Sequence, residues 1–336
     1  MTIESRRWVM ASRPGPKMLP SDFELRRFDL PELEAGQVRV RLEAHTLSPG
    51  MRAQMAYAIM GTPMHPGDPI PGDGLGVVEA SLHSDFTPGE RVAGRLGWAT
   101  HAVCDGGALT KLDPELYGDD LPSETALGAL GTNGLTAYVG VFEVGRPKPS
   151  ETVLVSSAAG SVGYLAGQMA TAVGCDVVGI AGSDRKCAEL KSRFGFRDTI
   201  NYRAVDDLAA AIRAMRPEGY DIFFDNVGGR TLDAGVQGLR HFGRAVLCGR
   251  LANYSEGEPQ VSHGLGPSDR LTLQGFVYND YPGALPEGRR RIAGWLREGA
   301  LVQQMSVIQG IEQSAAAFIS LFEGAVERPL VRISAA

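Results

Sequence analysis

TVLVSSAAGSVGYLAGQMATAVGCDVVGIAGSDRK, residues Thr152 to Lys186, reads as strand, glycine turn, helix, strand and turn. Thr152–Ser156 is a short apolar, β-branched run. Ala158, Gly160 and Gly163 then take the three small-residue positions of a G-x-G-x-x-G turn, with alanine in the first. Val162, Leu165, Ala166, Met169, Ala170 and Val173 follow at helical spacing, so one helix face is apolar. Gly174 ends the helix, and Val177–Ala181 is the next buried strand. A Cβ at Gly160 would hold a pyrophosphate away from the backbone, and a larger group at Gly163 would push the helix off its strand. The helix N-terminus adds N–H donors and a partial positive charge. An ordinary tight turn between strand and helix could use the same glycines. Here strand, helix and second strand all flank the turn, and that context makes it a dinucleotide-binding turn. Ala158, Gly160, Ser161, Val162 and Gly163 are its candidate contacts.

The end of the second strand bears on which dinucleotide is bound. A site for NAD usually places Asp or Glu about 20 residues past the glycines, on the adenosine ribose. This chain has Gly179-Ile180-Ala181-Gly182-Ser183, without a carboxylate at the strand's end. Asp184 is the rival residue for NAD, but it is expected to help cap the next helix. Arg185 and Lys186 offer cationic donors for a 2′-phosphate, although first-turn charges also occur simply as solvated residues. The expectation is NADP(H) over NAD(H).

Composition narrows the class. The chain has 336 residues, 43% of them hydrophobic and 21% charged, which fits a globular protein of about two domains. Its 43 glycines are dispersed rather than periodic, so they read as turns. A net charge of −6 argues against nucleic acid or an anionic membrane as a general partner. No apolar run reaches the roughly 20 residues of a membrane helix, and the first residues lack a signal-peptide core. Cys104, Cys175, Cys187 and Cys248 form no CxxC pair, as expected for thiols in a reducing cytoplasm.

Residues 1–30 look like strands joined by tight turns. Gln37–Ala44 alternates with period two, Val38, Val40 and Leu42 on one face. His45–Met60 reads as a loop and helix, either lining a pocket through Met51, Arg52 and Tyr57 or simply packing. Short strands continue to about residue 120, a β-rich domain. Leu121–Phe142 suggests helices broken at Gly131–Gly134. Thereafter helices (Arg185–Phe194, Asp206–Met215, Thr231–Arg240) alternate with strands (Thr199–Ile200, Tyr220–Asp225, Ala245–Gly249, Leu271–Val277). This alternation predicts an α/β fold with a doubly wound parallel sheet, whose ligands bind at the carboxyl ends of the strands. Asn226, Gly249 and Val277 are therefore candidates to surround a nicotinamide. Pro286–Glu298 and Ile311–Phe322 read as further helices, and Pro329–Ile333 as a last strand returning to the N-terminal domain.

Several runs together carry a resemblance. They are Leu47-Ser48 with Met51-Arg52, Gly131–Tyr138 (GTNGLTAY), Ala158–Gly163, Gly182–Cys187 (GSDRKC), Ile200-Asn201-Tyr202, Phe224–Gly229 (FDNVGG), Cys248-Gly249 with Tyr254, and Gln274-Gly275-Phe276. With them the chain resembles the zinc-independent medium-chain dehydrogenases/reductases, in particular the NADPH-dependent alkenal and enone double-bond reductases. The resemblance implies a GroES-like catalytic domain (1–124 with 304–336) and a Rossmann domain (125–303). It implies 2′-phosphate contacts from Lys186 and Tyr202, further cofactor contacts from Ser183, Asn133, Asn226, Cys248 and Tyr254, and homodimers. It also argues against catalytic zinc, since Pro71-Gly72-Asp73 stands where zinc-dependent relatives carry Gly-His-Glu. The implied chemistry is hydride transfer from NADPH to the β-carbon of an enone or enal, with Tyr254 as donor to the carbonyl oxygen. Two departures mark the pocket. Only Pro49-Gly50 separates Leu-Ser from Met-Arg, so a family pocket tyrosine is absent. Glu323–Pro329 replaces an Asn- and Gly-rich turn. Tyr278 and Tyr281 are candidates to refill the pocket, for a larger or cyclic enone. A quinone or carbonyl reductase on the same scaffold, and a catalytically silent NADPH-binding protein, use the same cofactor residues.

Overall fold

The computed structural model describes residues 4–57, 63–251 and 270–333. The chain forms two compact units, one of residues up to Leu127 together with those from Gln304 onward, the other Gly128–Gln303. The first begins with β1 (Glu4–Met10) paired antiparallel with β2 (Phe23–Asp29), then β3 (Gln37–Thr46) and α1 (Gly50–Tyr57). β4 (Gly74–Ser81), β5 (Arg91–Gly94), β6 (His101–Asp105) and β7 (Leu109–Lys111) follow. Val38, Val40 and Leu42 of β3 are fully buried, while Arg39 and Arg41 face Glu79 on β4. The period-two pattern thus becomes a strand with one apolar and one charged face.

The second unit opens with α2 (Thr132–Tyr138) and then alternates: β8 (Thr152–Val155), α3 (Gly163–Ala172), β9 (Asp176–Ala181), α4 (Asp184–Phe194), β10 (Asp198–Asn201), α5 (Leu208–Met215), β11 (Tyr220–Asp225), α6 (Gly229–Gln237), β12 (Leu239–Leu247), β13 (Thr272–Gly275) and α7 (Leu285–Arg297). Its sheet runs β10-β9-β8-β11-β12-β13, every pair parallel. This is the doubly wound Rossmann order, and its direction reverses between β8 and β11. Tyr220–Asp225 is buried at every position, as a central strand covered on both faces must be.

The chain then returns to the first unit as β14 (Ser306–Gln309), α8 (Ser314–Glu323) and β15 (Pro329–Arg332). β15 pairs antiparallel with β3 and completes a sheet ordered β14-β15-β3-β4-β5-β7, with β6 sharing with β15 the edge of β3 that faces away from β4. Trp98, Phe23, Phe318 and Met10 pack at its core.

Two local readings change, and one strand has no counterpart in the sequence reading. The interruption expected at Gly131–Gly134 lies earlier, because α2 already starts at Thr132. Gly134 sits inside that helix, where a Cβ would come 1.7 Å from the Ala129 carbonyl oxygen. The glycine therefore permits a close backbone approach rather than a break. Val139–Gly145 continues as a π-helical turn. The helix expected to reach Arg240 ends at Gln237, since Gly238 presents its carbonyl to the Tyr220 N–H and β12 starts one residue later. β14 carried no distinct sequence signal: it is four residues long and mostly exposed.

Candidate functional site

The turn after β8 is held by backbone geometry. Ser157 is in the left-handed region (φ 47°), and its carbonyl accepts the Gly160 N–H at 2.9 Å. A Cβ on Gly163 would lie 2.4 Å from the Ser157 oxygen and 2.9 Å from Ala158 Cα, so only glycine lets α3 start this close to the strand. Ala158 is buried, its N–H bonded to the Ile180 carbonyl of β9. Gly160, Ser161 and Val162 stay half-exposed on the lip. First-turn N–H groups have no acceptor within their own helix, and here the Tyr164 N–H turns back to the Gly160 carbonyl at 3.2 Å. This cradle fits a phosphate group: small residues where backbone must approach, donors where charge must be met.

One strand out, the ends of β9 and β10 form a second polar cluster. Ser183, not Asp184, is the N-cap of α4, and its hydroxyl accepts the Lys186 N–H at 3.3 Å. Asp184 instead accepts a hydrogen bond from Asn201 Nδ2 at 2.7 Å. Ser183 has the extended backbone that capping requires, whereas Asp184 is already helical and its side chain points to a neighbour. A Cβ on Gly182 would lie 3.0 Å from the Tyr202 ring, so the glycine lets that ring settle against the strand end. Tyr202 remains 45% exposed, so part of it is accessible to a ligand. Ser183, Lys186 and Tyr202 thus come together around a helix N-terminus of suitable charge for an anion.

At the switch point, β8 and β11 are joined by a buried network. Ser156 Oγ donates to Asp225 Oδ1 at 2.6 Å and accepts the Asn226 N–H at 2.8 Å. Asn226 Nδ2 donates to the Ser156 carbonyl at 2.8 Å. Asp225 also accepts from Val227 and Gly228 N–H groups at 3.1 and 2.8 Å. Burial pushes the Asp225 carboxyl above its ordinary range, against the pull of those hydrogen bonds. Burial and then the Asp225 charge push the Cys248 thiol up to about 12, so it is a protonated thiol at neutral pH. Gly249 lets the end of β12 close on β11, where a Cβ would meet the Asn226 oxygen at 2.7 Å. Ser156 and Asp225, the braces of Asn226, were not singled out from sequence. The run FDNVGG pointed at the strand end, but nothing local indicated a partner on β8.

The remaining candidates are placed as follows. Asn133 lies half-buried in the first turn of α2, next to Thr132, whose hydroxyl is 3.5 Å from Tyr278 Oη. Tyr281 instead accepts from Gln274 Nε2 of β13 at 3.3 Å. In the first unit, Met51 is buried and Tyr57 closes α1. Arg52 is buried too, its guanidinium donating to the Gly15 and Pro16 carbonyls and lying 5.1 Å from the Phe322 ring centre. Tyr254 lies outside the described residues.

Residues 6–112 match the family described as N-terminal domain of oxidoreductase, and residues 161–293 the family described as zinc-binding dehydrogenase. The metal in the second description finds no donor set among the described residues, where no group of three or more His, Cys, Asp or Glu is placed to hold an ion. Prostaglandin reductase 1 of Bos taurus is 38% identical over 327 residues, 96% of this chain and 97% of that protein. The NADPH-dependent curcumin reductase of Escherichia coli (strain K12) is 33% identical over 95% of this chain and 94% of that protein. The crystal structure of CurA from Vibrio vulnificus in complex with NADPH superimposes with a TM-score of 0.88, at 32% identity, over 98% of this chain and all of that one. Among the described residues no helix is long and apolar enough to cross a membrane.

Proposed function

The chain belongs to the medium-chain dehydrogenase/reductase superfamily, in the group of prostaglandin reductase 1 and curcumin reductase, and from that membership we propose that it reduces the C=C bond of α,β-unsaturated ketones or aldehydes with NADPH. The observation that carries the cofactor assignment is the cluster after β9, where Ser183, Lys186 and Tyr202 gather and Asp184 is engaged by Asn201. That environment suits a 2′-phosphate better than bare ribose hydroxyls.

Bound NADPH would supply a hydride to the β-carbon of the enone, with a proton from solvent or a donor completing the α-carbon. In this reading the Gly160–Gly163 backbone holds the pyrophosphate, and Ser183, Lys186 and Tyr202 hold the 2′-phosphate. Asn226 and Asn133 with Cys248 border the nicotinamide end. The Asp225–Ser156 brace keeps Asn226 in register, which favours one cofactor pose before substrate arrives. Tyr254 is proposed as the donor to the oxygen on which negative charge develops, and Tyr254→Phe is expected to lower turnover about 10²–10³-fold. Met51, Arg52, Tyr57, Tyr278 and Tyr281 are the proposed substrate-side residues.

The test is NADPH oxidation against enones, quinones and simple ketones, with product identification and an NADH control. A saturated ketone from an enone supports the proposal. An alcohol or hydroquinone with the alkene untouched would replace it with carbonyl or quinone reduction.

A further inference from the structure

Asn201, the last residue of β10, has entered so far only as the partner of Asp184, yet its amide joins both segments of the adenosine-side cluster. Nδ2 donates to Asp184 Oδ1 at 2.7 Å, and Oδ1 accepts the Arg203 N–H at 3.1 Å. The two bonds determine the amide's orientation. Turned over, its oxygen would face a carboxylate and its NH₂ group would face another N–H. The same residue's carbonyl accepts the Ala204 N–H at 3.0 Å, so Asn201 organises the whole turn that carries Tyr202 and Arg203. The Arg203 guanidinium lies 5.7 Å from the centre of the Tyr202 ring.

The chemistry of the two bonded groups is opposed. Asp184 follows β9 closely, in the region where a carboxylate would hold the hydroxyls of an unphosphorylated adenosine ribose. The same carboxylate repels a 2′-phosphate. Arg203 has the charge a 2′-phosphate attracts. One amide occupies the carboxylate that would favour NADH and sets the turn bearing a cation that would favour NADPH.

Resting on the NADPH assignment proposed above, the geometry points to Asn201 as a positioning residue for cofactor choice: a latch that engages Asp184 and presents Arg203 beside Tyr202 to the 2′-phosphate. It need not touch the nucleotide. Its effect passes through a carboxylate on α4 and a turn after β10.

The test measures dissociation constants of NADPH and NADH by titration calorimetry for the full-length wild type, Asn201→Ala, Asp184→Ala and the double variant. Asn201→Ala is expected to weaken NADPH about tenfold or more, the range for losing a hydrogen bond to a charged group, and to tighten NADH. The gain for NADH should vanish when Asp184→Ala is added, because it needs the released carboxylate. Asn201→Ser provides the same comparison if Asn201→Ala folds poorly. Equal weakening of both nucleotides would reduce Asn201 to a structural support and overturn the latch, as would a gain for NADH that survives without Asp184. If the wild type prefers NADPH and the Asn201 variants keep that preference, the latch alone fails. If the wild type binds NADH as tightly as NADPH, the cofactor assignment fails and the latch with it.

Discussion

Two turns on the same edge of the six-stranded sheet are built differently. After β8 the chain is closed: Ser157 is left-handed, and a Cβ on Gly163 would collide with backbone atoms of residues 157 and 158. After β9 the chain is open: Gly182 leaves room for the Tyr202 ring, Tyr202 is 45% exposed, and side-chain hydrogen bonds from Ser183 and Asn201 supply the order. The first turn is specified by what is missing from it, the second by polar groups added to it. A steric requirement couples ligand binding to folding. A polar rim can change its ligand without endangering the fold, since exposed polar contacts contribute little to stability.

The largest effect should follow from breaking the closed turn. Gly163→Val puts carbon atoms where the Ser157 carbonyl lies, backbone that cannot rotate aside. It should destabilise the protein by about 3 kcal/mol, the upper part of the usual cost of overpacking. Urea denaturation checks this, and a loss under about 1 kcal/mol, at the low end of that cost, would show that the turn relaxes freely. At the open turn, Lys186→Ala should weaken NADPH by roughly 1.5–3 kcal/mol, a lost charged hydrogen bond, with NADH binding and the melting temperature unchanged. Equal losses for both nucleotides would move Lys186 out of the 2′-phosphate site. A fall in melting temperature would erase the distinction between the two turns.

That distinction also explains what could be read from the sequence. Steric demands are local, so Ala158, Gly160 and Gly163 announced their turn by spacing, and the strand–helix alternation around them announced the parallel sheet. Polar partners are not local. Asn201 finds Asp184 17 residues away, and Ser156 finds Asp225 69 residues away, on elements that only the fold makes neighbours. The cap was misplaced by one residue for a related reason. Asp and Ser are both good N-caps, and only the backbone conformation separates Ser183 from Asp184. Gly134 looked like a break because glycine signals both a helix end and a close approach, and a single sequence does not distinguish them. Tyr254 was found by resemblance alone and lies outside the described residues.

The switch-point network lies between the two extremes, polar like the rim but buried like the closed turn. Ser156→Ala removes a hydroxyl that donates to Asp225 and accepts from Asn226. Two buried groups lose a partner, so the variant should lose about 1.5 kcal/mol of stability and also bind NADPH more weakly. Stability lost with binding intact would separate the brace from the cofactor.

The smallest effect tests whether burial treats charge alike in the other unit. His45 is fully buried and stacked on Trp98, with ring centres 5.7 Å apart. Its Nε2 is 3.0 Å from Ser314 Oγ, whose own proton goes to the Ile311 carbonyl at 2.7 Å. The Ser314 oxygen must therefore accept, which puts the imidazole proton on Nε2. Burial lowers the pKa of this ring from 6.5 to about 4, outweighing the neighbouring Thr46 carbonyl. The unfolded chain then takes up a proton as pH falls through 6.5 while the folded chain does not, so acid favours unfolding, down to about pH 4. Between pH 8 and pH 6 the loss is about 0.8 kcal/mol by linkage. Asp225 has the opposite sign: its carboxyl is held above the ordinary range, so protonation favours the folded state once the pH approaches its raised pKa. Urea midpoints at pH 8 and pH 6 should therefore fall for the wild type, and much less for His45→Gln. A wild type that gains stability on acidification would mean that carboxylates dominate this window. An unchanged slope in His45→Gln would assign the loss to other histidines and leave the buried imbalance of the first unit without consequence.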